Sequence, residues 1–384
     1  MPAKAGDVLL SIPRAVWQPL SAAHVRQSLP SSLVARADAH AASIGAGASF
    51  GDAALLAHHL AHHSDQCDES QYLAWLPHPD VPLLWPEVLK NALLRGTSAG
   101  PAADSQTVLS DGVLAALEDG EANDERRARF RWAQAILLSR AHSGEGKPLA
   151  LVPGLDLLNH GGEGAGACVR FNAADAAFDL VATRAHAEGE DVLIDYGTRA
   201  SHRLLRLYGF VTESGDESGE GADNGSAGAE GNGGGDAAVR SLGGVLPAGE
   251  EVQLPLLPSA AELEGAPEEI VSEIEAARAA LRACGVGGSS LRLAVDETGQ
   301  VILPAFAAVD PNKGAESSTA RRVLRAAVDS QRQRQQVGAA ACAAVKHAGG
   351  ASDQAFRQRA RLCERLHARE AALLNVVAQA LSPT

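Results

Sequence analysis

Cysteine is scarce and poorly placed for a structural role. The five residues, Cys67, Cys168, Cys284, Cys342 and Cys363, are odd in number, far apart and contain no Cys-x-x-Cys pair. That excludes a disulfide framework and a tetrathiolate zinc site, and makes a reducing compartment the default. Long apolar runs are missing as well. None approaches the ~18–20 residues that cross a bilayer, so no membrane partner is expected. Positive charge is in deficit, with 33 Lys+Arg against 47 Asp+Glu and a formal net charge of −14. A general nucleic-acid binder takes its affinity from clustered Lys and Arg, so nucleic acid is not expected as a partner. The start of the chain, "MPAKAGDVLLSIPRAVWQPL", lacks the apolar core of a secretory signal.

What is present suits two domains, or one large domain with an appendage: 384 residues, 46% hydrophobic and 21% charged. The chain opens on a Lys-Ala-Gly-Asp turn and a short strand, "VLLSIP", which Pro13 ends. Residues 22–140 read as mostly helical. Leu55, Leu56, His59, Leu60 and His63 recur at i, i+3, i+4, and Phe130, Ala133, Ile136 and Leu137 do the same behind Asn123 and Asp124 as caps. Between them "YLAWLPHPDVPLLWPEVL" reads as an ordered, packed loop, because Trp75 and Trp85 are too large to leave exposed. From 147 to 212 the texture changes to short strands ("PLALVPGLDLLNH", "CVRFN", "FDLVAT", "DVLIDYG"), followed by a helix in "SHRLLRLYGFV".

Residues 213–239 hold nine glycines, seven acids and no base. Such a tract cannot recover its ordering entropy and reads as a disordered, self-repelling linker. Beyond it, a strand pair turning near Gly299 and two long helical patterns are expected, the last with Leu362, Leu366, Leu373, Val377 and Leu381 on one stripe. The linker carries half of the net charge. Residues 320–370, by contrast, have eleven Lys or Arg and four Asp or Glu. That run reads as a solvated helix face, with a surface for an acidic partner as the alternative.

Two clusters carry chemistry. In "HHLAHH", His58 with His62 and His59 with His63 stand at i, i+4, with Cys67 nearby. No HExxH glutamate accompanies them, and they read as helix-face histidines, so no metal is expected. The second cluster is "LVPGLDLLNH", which ends in Asp156, Leu158, Asn159 and His160 and is followed later by "GEDVLIDYGTRASHRLLRLYGF". Each piece alone reads as a turn or a core residue. The ordered set Asp156–His160, Gly189–Gly197 and Tyr208–Phe210 resembles a SET-domain methyltransferase of the Rubisco large-subunit lysine methyltransferase type. The segments around Trp75 and Trp85, the Ser139-Arg140 helix end and, more loosely, residues 240–384 extend the resemblance over nearly the whole chain.

The resemblance implies an α+β fold. It consists of a SET domain over 1–212 (a short-strand β-clip with a pseudoknot) carrying a helical insertion at about 22–140, the 213–239 linker, and a helical substrate-binding domain over 240–384. It implies an S-adenosylmethionine-dependent protein-lysine N-methyltransferase acting, as a monomer, on a non-histone protein such as Rubisco or a plastid aldolase. Tyr196 would stand at the point of methyl transfer. Asn159 and His160 would hold the amino-acid and adenine portions of the cofactor, with Arg140, Tyr208 and Leu158 lining its pocket. Asp156 and Arg199 would meet the substrate. A histidine-directed methyltransferase and a SET-fold binding module without catalysis are the alternatives.

The sequence departs from the family pattern at three places. "AGDVLLSIP" matches a segment that in the family follows a G-x-G turn, so that turn is expected upstream of Met1, as in a gene model that starts late. A plastid transit peptide would lie there too, leaving chloroplast against cytoplasm or nucleus open. His142 stands where the family has an aromatic residue after the Ser-Arg pair, and Ser201-His202 replaces Asn-Ala.

Overall fold

The computed structural model describes residues 2–62, 68–118, 120, 122–144, 147–197, 199–212, 251–257, 268–283, 286, 290–295, 301–302, 315–348 and 354–381. The 213–239 linker, His63, Cys67 and the turn near Gly299 lie outside them. Among the described residues no helix is long and apolar enough to cross a membrane.

The first strand forms where expected. Lys4 N donates to Asp7 Oδ2 at 2.7 Å and Asp7 N returns to Lys4 O, with Gly6 at φ +93° in the bend. This is the backbone geometry that favours glycine. Strand β1 (Val8–Ile12) follows and stops at Pro13. Two short strands, β2 (His142–Gly144) and β3 (Lys147–Ala150), form a separate ribbon. Strands β4 (Ala167–Asn172) and β5 (Ala177–Ala182) complete an antiparallel sheet in the order β1-β5-β4. The register sets Leu10 against Leu180 and Val169 against Leu180, and Ile12 and Phe171 against Phe178, so one face is apolar. Trp17 seals that face: its ring meets Phe178 edge-on at 5.3 Å and Phe171 at 5.9 Å, and its Nε1 donates to Ala176 O.

The chain divides into two compact units. The first holds Met1–Trp85, Ala102–Thr198 and Arg206–Gly209; the second holds Pro86–Pro101, Arg199–Leu205 and Phe210–Thr384. In the first unit the helices Ala22–Ser28, Ser31–Ser43, Ala48–His62, Asp124–Arg140 and, from Ala102 onward, Ala99–Glu118 supply a helical core. Leu55, Leu56, Leu60, Phe130 and Ile136 are fully buried in it, and His59 is half-buried. The Asn123 side chain accepts from Arg126 N at 2.9 Å and caps the helix Asp124–Arg140. Replacing it with alanine removes an N-cap worth about 1 kcal/mol, so the urea midpoint of Asn123→Ala is expected to fall accordingly.

The Trp-rich stretch differs from its sequence reading. Much of it is helical, with Asp68–Trp75, a 3₁₀ turn at Pro82–Leu84 and Glu87–Leu94. Trp85 is buried and donates its Nε1 to Asp80 Oδ1 at 2.7 Å, but Trp75 is 83% exposed. It is the last residue of its helix, where a large ring can project outward. Size alone did not decide its burial.

In the second unit, strands β6 (Glu251–Pro255), β7 (Ser290–Val295) and β8 (Val301–Ile302) form a sheet in that order. Val252, Leu254 and Leu293 pack with Leu324, Val328, Leu373 and Val377 of the helices Ala315–Ala348 and Gln354–Ala380. All five residues of the anticipated stripe are buried. The short helix Glu87–Leu94 joins this unit through backbone approach: a Cβ added at Gly338 would sit 1.7 Å from Arg95 O. Around that contact Gln331 Nε2 donates to Gly96 O at 2.9 Å, and Ser98 N donates to both carboxylate oxygens of Glu370 at 3.0 and 3.1 Å.

Candidate active site

The site is built where residues 193–196 pair with two earlier pieces of chain. Ile194 N donates to Asn159 O, Gly161 N donates to Ile194 O, and Ala167 N donates to Leu193 O. The pairing is parallel, as isolated bridges from Ile194 to His160 and to Ala167. "DVLIDYG", read as a strand, is therefore an extended segment held at one point. Ile194 is buried among Leu155, Phe178 and Leu180, which fixes the residues on either side of it.

Tyr196 follows two residues later. Its hydroxyl donates to Leu158 O at 2.5 Å, and its backbone N–H donates to His160 Nδ1 at 3.1 Å. Its ring lies 5.0 Å from the His160 ring and 4.6 Å from that of Tyr208, both tilted by about a third of a right angle. Arg140, at the end of its helix, donates Nη1 to Asp156 O at 2.8 Å, while its Nε is buried without a hydrogen-bond partner. Asp156 is 6% exposed and its Oδ1 accepts from Gly154 N at 2.9 Å. Its carboxylate thus holds the turn on which Arg140 and Leu158 converge.

The environment decides protonation. Burial raises the Tyr196 phenol above its ordinary value; the Arg140 cation opposes this and Tyr208 adds to it. The group is a phenol at neutral pH. His160 accepts at Nδ1 and so is neutral in this arrangement, and burial keeps it below the ordinary histidine value against Asp195 and the Ile194 backbone. Burial likewise raises Asp156, beside which the Tyr72 hydroxyl lies.

A pH dependence follows. Because His160 binds a proton less readily folded than unfolded, stability is full above about pH 6.5 and falls as pH drops toward the depressed folded value. Urea unfolding across pH 4.5 to 7.5 (roughly spanning the ordinary histidine value) is expected to show this decline. His160→Gln, which keeps an acceptor but does not titrate, should make it shallower.

Of the residues singled out from sequence, the structure gathers Arg140, Asp156, Leu158, His160, Tyr196 and Tyr208. The Asn159 side chain is exposed next to them. Arg199 is exposed and falls in the second compact unit. His142 takes its aromatic position by packing, 6.1 Å from Phe178. Ser201 and His202 are buried in the second unit; Ser201 Oγ accepts from Arg369 Nη1 and His202 Nε2 lies 3.5 Å from Glu251 Oε1. Tyr72 was not anticipated. The available signal was compositional: the chain has three tyrosines, and all three stand at this site.

No family model matches the chain, and no curated protein matches it in sequence. Solved structures do. The SET domain of LSMT bound to methyl-lysine and AdoHcy superposes with a TM-score of 0.59 at 16% identity, over 99% of this chain and 83% of that one. This chain has the SET-domain fold. Rubisco LSMT bound to AdoMet gives 0.59 at 15% identity, and Rubisco LSMT bound to sinefungin and monomethyllysine gives 0.58 at 15%, each over 99% of this chain and 82% of theirs. Within the SET fold the small β1-β5-β4 sheet and the Ile194 crossing set the Tyr196 cluster, while the helices supply Arg140 and Tyr208.

Proposed function

We propose that this protein is an S-adenosylmethionine-dependent protein-lysine N-methyltransferase acting on a non-histone protein. The observation that carries the reading is the Tyr196 cluster, in which a phenol is anchored to Leu158 O and walled by His160 and Tyr208. It is set on a fold whose solved relatives hold AdoMet, AdoHcy, lysine and methyl-lysine.

The residues fit the cofactor. Arg140 Nε is a buried donor with no hydrogen-bond partner, suited to a carboxylate, and Asn159 and His160 would hold the amino-acid and adenine portions. Bound S-adenosylmethionine supplies an electrophilic methyl group on a sulfonium. The protein's part is to bring a neutral amine into line with it. Aligning two reactants in this way can contribute roughly 7–11 kcal/mol.

Tyr196, with its hydroxyl hydrogen committed to Leu158 O, keeps oxygen lone pairs that accept an N–H from the incoming amine. Its raised value rules against proton abstraction and leaves positioning as its role. The half-buried rings of Tyr196 and Tyr208 withhold solvent from an ammonium, and the Arg140 cation that acts on Tyr196 would repel it too. Lysine therefore enters uncharged. In this reading the SET region spans 1–212, the C-terminal 240–384 region holds a protein substrate, and plastid enzymes such as Rubisco or aldolase are the first substrates to try.

The test is transfer of labelled methyl from S-adenosylmethionine to candidate proteins, with the modified side chain located by mass spectrometry, beside calorimetric titration with AdoHcy. Methyl-lysine on an acceptor is expected. Methyl-histidine would reassign the nucleophile, and absence of AdoHcy binding would leave a binding module in its place.

A further inference from the structure

One group of ligand-type side chains takes no part in the site above. It lies at the end of helix Ala48–His62, where the end of helix Ala99–Glu118 meets it, both within the first compact unit. His62 Nδ1 lies 2.9 Å from His58 O. A carbonyl only accepts, so Nδ1 carries the proton. That bond fixes the tautomer and turns Nε2 outward, the way a backbone carbonyl orients a metal-binding imidazole. Nε2 in turn lies 3.1 Å from Glu118 Oε1. The other carboxylate oxygen accepts from Arg126 Nη1 at 3.0 Å, which holds Glu118 in place. The His58 ring stacks on His62 at 4.0 Å and 23°, and its Nδ1 is buried without a hydrogen-bond partner.

With Nδ1 as donor, a neutral His62 would set a nitrogen lone pair against a carboxylate oxygen at 3.1 Å. Two acceptors at that distance need a cation between them, either a second proton on the ring or a metal ion. The neighbouring His58 favours the metal: one ligand atom each from His58, His62 and Glu118 lie within 4.8 Å of one another. Ligands at about 2.0–2.2 Å from a tetrahedral zinc stand roughly 3.3 Å apart, a gap that side-chain torsions close. Two imidazoles and one carboxylate suit zinc better than magnesium or calcium, which prefer all-oxygen shells. Arg126 would then be the outer partner that orients the carboxylate.

We infer that His58, His62 and Glu118 form a zinc site that clips the end of helix Ala48–His62 to the end of helix Ala99–Glu118. Water fills the fourth position, on the side where the His62 side chain is 38% exposed. The i, i+4 histidines were visible in the sequence, with Cys67, which lies outside the described residues, as the only further ligand it suggested. The third comes from a different helix.

The test uses tag-free, chelator-washed full-length protein titrated with Zn²⁺ by calorimetry, together with Co²⁺ substitution and thermal unfolding with and without zinc. One equivalent, tetrahedral Co²⁺ bands and a raised unfolding temperature are expected. His58→Ala, His62→Ala and Glu118→Gln should each weaken Zn²⁺ at least tenfold and remove the zinc-dependent shift, while His24→Ala, an exposed histidine elsewhere, should change neither. Circular dichroism of each variant without metal guards against misfolding, and Glu118→Gln keeps shape while losing the charge. Undiminished zinc affinity in His62→Ala and Glu118→Gln, or no stoichiometric binding by the parent, would overturn the site and leave a His62–Glu118 ion pair.

Discussion

Tyr196→Phe is expected to lower the methyl-transfer rate by about 10²–10³-fold, the usual cost of removing one positioned hydrogen-bonding group from a transition state. AdoHcy affinity should stay near the parent value, because the contacts proposed for Arg140, Asn159 and His160 would remain. Stability should fall by only about 1 kcal/mol, since one hydrogen bond to a carbonyl is lost while the ring keeps its packing on His160 and Tyr208. Single-turnover kinetics with labelled cofactor separates the chemical step from binding. Parent-like turnover would remove Tyr196 from its role. A loss of AdoHcy binding in parallel would mean that the hydroxyl supports the pocket rather than the reaction.

The second large effect is on stability. At Gly338 an added methyl group would fall 1.7 Å from Arg95 O and 2.7 Å from Arg95 C, both backbone atoms that cannot rotate away. Gly338→Ala therefore has to push the helix off the 95–96 segment, and a destabilisation of about 3 kcal/mol is expected. The displacement would also strain the Gln331–Gly96 and Ser98–Glu370 bonds beside it. Gly112→Ala is the matched control. That glycine is inside a helix with nothing within 4 Å of the new methyl, so the exchange should stabilise by about 0.5–1 kcal/mol. Urea unfolding of the pair reads opposite signs from the same chemical change. Equal midpoints would mean that the backbone contact at Arg95 is not maintained.

Local features were legible in the sequence because local rules dictate them. The Gly6 turn, the stop at Pro13, the Asn123 cap and the Leu362–Leu381 stripe each depend on a few neighbouring residues, and each is found in the structure. The Asp156–His160 and Gly189–Gly197 segments were recognised as an ordered set, and their residues do meet around Tyr196. Features set by distant partners were not legible. Tyr72 reaches Asp156 from a different part of the chain, Glu118 reaches His62 from a separate helix, and Glu370 reaches back to Ser98. Strand β6 was missed because it gains its partner, β7, only across a long stretch of chain. Trp75 failed in the other direction: hydrophobic area gives a tendency to burial, and the position at the end of a helix overrode it.

The Ile194 crossing has a bearing on how the molecule is made. Its amide and carbonyl are bonded to Asn159 and Gly161, and its neighbour Leu193 to Ala167, so this short segment can seat only after both earlier pieces are in place. Contacts of large sequence separation carry a loop-closure cost before they give anything back, which delays them in folding. Helices such as Asp124–Arg140 form early from local contacts and can present Arg140 to a site that does not yet exist. Tyr196 is expected to arrive with the crossing, after the helices. Nascent or partly refolded chains would then show near-native helicity before the proposed AdoHcy affinity, and the appearance of that affinity would time the closing of the chain.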